Sequence, residues 1–383
     1  MNTSQTAVTD RVRVAGVGAT QQGKLPGRTA DDLAVEAVRA ALADAGLDKS
    51  EIDALVVQRS HNNQGDIRDV GHRLGIMPSF GFNVSCQLEA LHTGIMLIAT
   101  GLAQVVVLAY GTNQRTDRNH FAAPAIHSGG NYGAVYGLGS PASTAGLIFR
   151  RRMHLYGDTE EQLGALTVAQ SRAAALNPLA VYRDELTLDD YLAAPLLIAP
   201  LRLYDFCMIS DGGFATVLVS AERAADLTAR PVRLGGVGYA TAFAEMSHPD
   251  AVALPAHRAS AARLWSSSEF GRADIDLMYV QDPYTPVTLA ALEAYGFCGE
   301  GEAASWIQGG RIELGGQLPV NVNGGQNRMT YMVGWQHTYD AVRQVRGQAD
   351  TAERQVAGAR TALVVGSSGV GQQTGSFILT SQA

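Results

Sequence analysis

No uninterrupted apolar run in this sequence reaches the roughly 18 residues that a membrane-spanning helix needs. The first thirteen residues are polar where a secretory signal would carry an apolar core. These two absences predict a cytoplasmic chain with no membrane partner. Cysteine is scarce, and Cys86, Cys207 and Cys298 stand in unrelated contexts. They have neither the CxxC spacing of a zinc site nor the even count of a disulfide framework, so a reducing compartment fits and a thiol is free for chemistry. The histidines show no metal-ligand spacing, so no metal is expected. There is no Walker lysine, and Gly366-Ser-Ser-Gly-Val-Gly371 has the wrong spacing for a dinucleotide fingerprint, so no nucleotide cofactor is expected either. A net charge of −7 and the lack of a basic stripe exclude nucleic acid as the default partner. The short Arg150-Arg151-Arg152 run reads as a solvated helix face.

What is present is a large apolar supply, 46% hydrophobic against 17% charged over 383 residues, enough for two or three domain-sized units. The 42 glycines exceed the ~7% of an average chain and point to tight turns and close backbone approaches. The N-terminal part alternates strands and helices in the order of an α/β fold. Strands are expected at 12–18, 52–57, 81–84 and 104–110. A helix capped by Thr29 carries Leu33, Ala34, Ala37, Val38, Ala41 and Leu42 on one face and stops at Gly46, and a second helix spans 88–99. From about 115 to 200, prolines and glycines break the chain around helices near 142–156 and 160–176. This stretch has the character of a cap inserted over a sheet.

An internal repeat organises the rest. Ala37-Val-Arg-Ala-Ala-Leu followed by Ile52-Asp-Ala-Leu-Val-Val-Gln58 is echoed by Ala259-Ser-Ala-Ala-Arg-Leu followed by Ile275-Asp-Leu-Met-Tyr-Val-Gln281. In the same order, Asn83-Val and residues 101–111 are echoed by Asn321-Val and residues 357–366. Two echoes in matching order predict two homologous α/β halves, 1–230 with the cap and 231–383, meeting at a shared seam.

Cys86 sits between a strand and a helix, where the helix N-terminus favours a thiolate and so a nucleophile; the alternative is a small buried hydrophobe. Cys207 and Cys298 read as structural, and Asp211 reads as a cap for backbone N–H groups. The Asn323-Gly324-Gly325 and Gly366-Ser367-Ser368-Gly369 loops can offer backbone N–H groups to a thioester oxyanion, or be ordinary turns. Tyr331 precedes the last long helix (334–345) and points towards the seam, with core packing as its alternative. His92 and His337 read as satisfied helix histidines.

The order and spacing of several motifs together resemble the thiolase superfamily, in its sterol-carrier-protein-type branch, over nearly the whole chain. They are Asn83-Val-Ser-Cys-Gln-Leu-Glu-Ala-Leu, Pro200-Leu-Arg-Leu-Tyr-Asp with Ser210-Asp-Gly-Gly213, Leu292-Glu-Ala-Tyr-Gly-Phe-Cys-Gly-Glu-Gly301, Leu318-Pro-Val-Asn-Val-Asn-Gly-Gly325, Val342-Arg-Gln-Val-Arg-Gly347 and Arg354-Gln-Val-Ala-Gly-Ala359. The resemblance implies a duplicated α/β/α/β/α thiolase fold, acyl-CoA substrates with no cofactor beyond the CoA thioester itself, and a homodimer pairing through the strand at 80–84. The departures bear on mechanism. The Gly-His-Pro histidine that activates the nucleophile is absent from Gln326-Asn-Arg-Met-Thr-Tyr-Met-Val-Gly334, and the last glycine loop lacks the second cysteine. Gln281 stands where the family holds an oxyanion His or Asn.

The shortened loop is similar to that of the thiolase-like aldolases of steroid side-chain degradation, where Gly-Gly-Gln is followed by a tyrosine at the place of Tyr331. Those enzymes work with a small OB-fold, zinc-ribbon partner. The branch's second tyrosine is Gln281 here, while Tyr284 replaces the Phe of its Asp-x-Phe-Thr motif. The resemblance therefore implies a retro-aldol lyase acting on a β-hydroxyacyl-CoA. Tyr331 would move the β-hydroxyl proton, and Gln281 with the loops at Gly325, Ser367 and Gly369 would stabilise the enolate, with Tyr284 and His337 as accessories. Two alternatives stay open: a thiolase or acyltransferase that uses Cys86, and an inactive subunit that only binds acyl-CoA.

Overall fold

The computed structural model describes residues 8–59, 64–118, 136–138, 140–227, 230–242, 254–368 and 372–382. Nine strands form one mixed sheet: β1 (Val12–Ala19), β2 (Ala54–Gln58), β3 (Phe80–Val84), β4 (Val105–Asn113), β5 (Asp211–Ser220), β6 (Val232–Thr241), β7 (Leu277–Val280), β8 (Thr361–Ser368) and β9 (Gln373–Thr380). Their order is β3-β2-β4-β5-β1-β6-β9-β8-β7. One pairing scheme is used twice. β1 runs antiparallel to β5, β5 antiparallel to β4, and β4 parallel to β2, which is parallel to β3. Likewise β6 runs antiparallel to β9, β9 antiparallel to β8, and β8 parallel to β7, which makes a parallel bridge from Met278 to Val320 where a counterpart of β3 would lie. Two short pairings, Arg13 with Arg233 and Val14 with Val232, join the sets edge to edge.

The helices repeat in the same way. α1 (Ala30–Ala45) with the short α2 (Ile67–Leu74) covers the outer face of the first set, and α6 (Pro255–Ser267) with α7 (Thr285–Ala294) covers that of the second. Between the sets, α3 (Gln87–Ala99) and α8 (Trp335–Val345) share one apolar core with the inner faces of both. The result is α/β/α/β/α layering, as the motifs imply.

α1 forms where its sequence places it. Thr29 and Asp32 close a capping box, Gly46 ends the helix at φ 69°, and all six residues of the expected apolar stripe are buried. The helix presses so closely on the sheet that a Cβ at Gly18 would lie 2.2 Å from the Ala37 carbonyl oxygen. In the second set Gly238 stands in the same relation to Ser260, at 2.3 Å. The internal repeat is thus a repeat of packing geometry as well as of pattern.

Above the seam lie α4 (Pro141–Tyr156) and α5 (Glu160–Ala175), close to the expected bounds. Here one expectation is corrected. Arg150 and Arg151 are exposed, but Arg152 is buried, its guanidinium 2.6 Å from Asp158 and 2.7 Å from Glu293 of α7. Two carboxylates offset the cost of burying that cation, so the third arginine of the run clamps the cap to the second half. Asp211 holds the cap's base as expected, accepting bonds from the backbone N–H groups of Leu25, Arg115 and Thr116 at 2.8–3.1 Å.

Candidate active site

β3 delivers the chain to Cys86, which caps α3 in an extended conformation without a side-chain capping bond. The thiol is buried, and that burial pushes its pKa up to about 11, with the Glu89 carboxylate adding to the rise. Of the two readings of Cys86, a helix-stabilised thiolate and a small buried hydrophobe, burial favours the second, because desolvation of the charged form outweighs the field of the helix N-terminus. Glu89 turns back to bond the Ser85 N–H and hydroxyl at 2.8 and 2.7 Å, placing a negative charge where a reactive thiolate would need a positive one.

His337, expected as an accessory, is fully buried in α8. Its Nδ1 lies 3.1 Å from the Asn323 amide, and its Nε2 lies 3.4 Å from Asp282 Oδ1. Both ring nitrogens are therefore occupied, and the ring offers no lone pair to Cys86. His92 is also satisfied, with Nδ1 2.7 Å from the Leu88 carbonyl and its ring against Tyr239.

Asp282, which the sequence did not single out, joins three elements. It accepts from Gln170 of α5 at 2.5 Å and from the Gln326 backbone at 3.0 Å, and it faces His337 of α8. Gly325 is small for this reason: a Cβ there would lie 2.5 Å from both Asp282 Oδ2 and Gln170 Nε2, and its φ of 64° adds strain for any other residue. Its own N–H donates to Asn323 Oδ1 at 3.1 Å. Beyond it, residues 325–329 form a single π-helical turn, a feature often found at functional sites, which leads to Tyr331.

Tyr331 is half-buried, its backbone N–H 3.5 Å from Ser210 Oγ. Burial holds its hydroxyl well above the usual tyrosine range, and neighbouring Cys207, Tyr110 and Tyr284 push in the same direction. Tyr284 caps α7, with its ring edge-on to Phe206 at 5.5 Å, and burial and Cys207 raise it as well. Cys207, expected to be structural, therefore lies beside both tyrosines, and its thiol is pushed up to about 12 by burial and by Asp282. Its backbone N–H bonds the Pro283 carbonyl, which brings the 203–207 segment to the site.

Gln281 follows β7 directly, 5% exposed, its Oε1 accepting the Ser367 N–H at 3.0 Å. That bond engages the Ser367 N–H inside the protein, as the Asn323 bond does for Gly325. Gly369 lies outside the described residues. The starts of the two central helices meet where Gln87 Nε2 donates to Thr338 Oγ1 at 2.5 Å. Gln87, the residue after Cys86, and Gln281 both press on Gly334 at the start of α8, where a Cβ would lie 2.9 Å from the Gln87 Oε1 and 3.1 Å from the Gln281 Oε1, and Tyr331 stands three residues before that glycine in the segment leading into α8. A cavity of about 700 Å³ lined by Arg230, Arg346 and Arg360 lies at the far end of α8 and touches none of them. Among the described residues no group of three or more His, Cys, Asp or Glu could hold a metal ion.

The family model described as "Thiolase C-terminal domain-like" matches residues 238–381. A 17-hydroxy-3-oxo-4-pregnene-20-carboxyl-CoA lyase of Mycobacterium tuberculosis is 35% identical over 93% of this chain and 96% of its own length. This chain belongs to the thiolase-like CoA-thioester aldolases. A steroid side-chain-cleaving aldolase of Thermomonospora curvata is 34% identical over 93% of this chain and 95% of that one. A solved Ltp2-ChsH2(DUF35) aldolase superposes with a TM-score of 0.88 at 34% identity, covering 97% of this chain and 98% of that one. For a thiolase-like aldolase, a high-pKa cysteine and tyrosines kept protonated are consistent features, since cleavage by this route forms no acyl-enzyme.

Proposed function

We propose that this aldolase cleaves the Cα–Cβ bond of a β-hydroxyacyl-CoA with Tyr331 as its proton-transfer group. In that reaction the β-hydroxyl loses its proton, the bond's electron pair moves to the thioester to form an enolate, and the enolate carbon is protonated. A tyrosine whose hydroxyl is held protonated suits a shuttle better than a free tyrosinate base. It receives the β-hydroxyl proton as it passes its own to carbon, and no charged phenolate has to survive in a buried site. Gln281 donates through Nε2 to the thioester oxygen, because the Ser367 N–H already occupies its Oε1. Gly325 and Ser367 serve by shaping the site, and Tyr284 packs beside Tyr331.

The observation that carries this reading over a cysteine-dependent acyltransferase is the state of Cys86: buried, raised to about 11 and without a free histidine. Cys86→Ala should retain turnover within about threefold of the unmodified enzyme. Loss of activity with dimer mass and circular dichroism unchanged would return the cysteine to the mechanism.

The relatives' names supply the substrate class, a steroid side-chain CoA thioester. With 17-hydroxy-3-oxo-4-pregnene-20-carboxyl-CoA, atom balance requires a C17 ketone and propanoyl-CoA as products. We also infer a cytoplasmic enzyme of two halves, 1–230 and 231–383, that works with a DUF35-type OB-fold, zinc-ribbon subunit. Homodimerisation is supported by β3, which among the described residues pairs only with β2 and exposes Gly81, Phe82 and Asn83 at the sheet edge. Light scattering at micromolar concentration should give twice the chain mass, since an obligate interface buries more than roughly 2,000 Å². A stable monomer in the presence and absence of the partner would exclude that pairing.

A further inference from the structure

Asp205 ends the turn that carries the chain to Cys207 and is 1% exposed. Three donors surround its carboxylate: the Thr285 hydroxyl at 2.6 Å, the Arg202 backbone N–H at 2.7 Å and the Tyr191 hydroxyl at 2.9 Å. They come from the first residue of α7, the start of the turn itself and the short helix Leu188–Ala193 of the cap. No cation joins them among the described residues. The Arg202 guanidinium turns away to Glu160 of α5 at 2.7 Å and to the Ala194 carbonyl at 2.9 Å. Asp158 and Asp340, also buried, each face an arginine at 2.6 Å. Asp205 is thus a buried carboxylate held by dipoles alone, and ionising it there costs the fold stability. Burial pushes its pKa up to about 6, with Glu160 adding to the rise against the pull of the three donors.

A charge kept at a cost to the fold points to work done by that charge. What it joins is the wall beside Tyr331. One residue beyond Asp205, Phe206 makes an antiparallel bridge to Tyr284, and the Cys207 N–H donates to the Pro283 carbonyl at 2.9 Å. Thr285, gripped by the carboxylate, follows Tyr284 directly. Cys207 and Tyr284 are two of the groups that act on the Tyr331 hydroxyl. We propose that Asp205 is a positioning residue for the carbon–carbon cleavage, its ionised carboxylate fastening the 203–207 segment to the start of α7 and so holding Cys207 and Tyr284 where Tyr331 needs them. This deepens the lyase reading and rests on it. Protonation undoes the fastening, because a carboxylic acid brings an O–H to a place already ringed by donors, and one of the bonds must turn or break. The charged groups facing Asp205 are Glu160 and Arg202, which pair with each other. The titratable ones around it are Tyr191 and, one step further, Cys207 and Tyr284, all held protonated by burial. Asp205 is therefore the member of this cluster that titrates at about pH 6.

The test follows kcat, KM and melting temperature against pH, with 17-hydroxy-3-oxo-4-pregnene-20-carboxyl-CoA as substrate and the DUF35-type partner present. In the unmodified enzyme kcat should fall about tenfold from about pH 7 to 5 with KM little changed, the change in the ionised fraction of one group at about 6. Stability should move the other way. The folded-state pKa lies above the ordinary carboxylate value, so the fold holds this proton more tightly than the unfolded chain does, and acidification stabilises it through this group. Asp205→Asn is neutral at every pH and sets an amide N–H among the same donors. At about pH 8 it should turn over about ten- to a hundredfold more slowly, with a similar KM and no acid limb, the scale of a displaced site. Its melting temperature relative to the unmodified enzyme should be highest at about pH 8 and fall towards about pH 5. Thr285→Val removes one donor to the carboxylate and should move the acid limb of kcat to higher pH. An acid limb that persists in Asp205→Asn belongs to another pair, such as His337 with Asp282, and overturns the proposal. So does a kcat of Asp205→Asn within about threefold of the unmodified enzyme at about pH 8. A limb unmoved by Thr285→Val overturns it too, as does a melting-temperature difference that stays constant with pH. The lyase reading fails on a different outcome, no ketone released by the unmodified enzyme at any pH, so the two failures are distinguishable.

Discussion

Tyr331→Phe should lower turnover of the β-hydroxyacyl thioester by about 10²- to 10⁴-fold, the range for loss of a positioned acid/base group. The ring stays, so packing against Cys207, Tyr110 and Tyr284 is kept, and melting temperature should move by no more than a degree or two. The loss should fall on kcat, because the hydroxyl acts as the bond breaks and adds little to ground-state binding. The pH profile carries the sign of the mechanism. With the hydroxyl held well above its ordinary range, no tyrosinate forms between pH 7 and 9, and turnover should not climb across that interval as it would for a free phenolate base. A variant within threefold of the unmodified enzyme would remove Tyr331 from the chemistry.

Arg354→Ala should be among the most destabilising single substitutions in the protein, by about 3–5 kcal/mol, the cost of stripping one partner from a buried ion pair. Arg354 is fully buried, 2.6 Å from Asp340 of α8 and 2.9 Å from Asp350. Asp340 also accepts the Tyr279 hydroxyl of β7 at 2.6 Å. Removing the guanidinium leaves a carboxylate 1% exposed without its countercharge, at the point where the last central helix meets the strand that leads to Gln281 and Asp282. Chemical denaturation should show the midpoint falling, and Asp340→Asn in the same chain should recover part of the loss. A change below 1 kcal/mol would mean that water reaches the pair.

The two predictions touch different kinds of sequence signal. The motif around Arg354 is visible in the chain as part of a family pattern, but only the fold shows that its arginine is a clamp between helix and strand. The duplicated halves were legible because they are written in periodicity: the stripe of α1, its Thr29 cap and Gly46 stop, and the echo at 259–281 depend on neighbours a few residues away. Asp211 was legible too, since an acid before glycines caps backbone groups. What was not legible depends on long-range contact. Arg152 reads as surface until Glu293 arrives from another helix. Cys86 reads equally as a nucleophile or as a small buried hydrophobe until the core closes over it. Asp282 and Gln87 carry no local signal, because their partners come from Gln170, Gln326, His337 and Thr338, far along the chain. For Asp282 the available hint was an acid at the end of a wholly apolar strand.

The central claim is that the chain breaks a carbon–carbon bond by proton transfer, with no covalent link to Cys86. Incubation with 17-hydroxy-3-oxo-4-pregnene-20-carboxyl-CoA, alone and with a DUF35-type partner, followed by quantification of both products and intact-mass analysis of the protein, tests it directly. The account predicts the C17 ketone and propanoyl-CoA in equal amounts, with the protein mass unchanged throughout. An acyl adduct on Cys86, with no ketone formed under either condition, would contradict it.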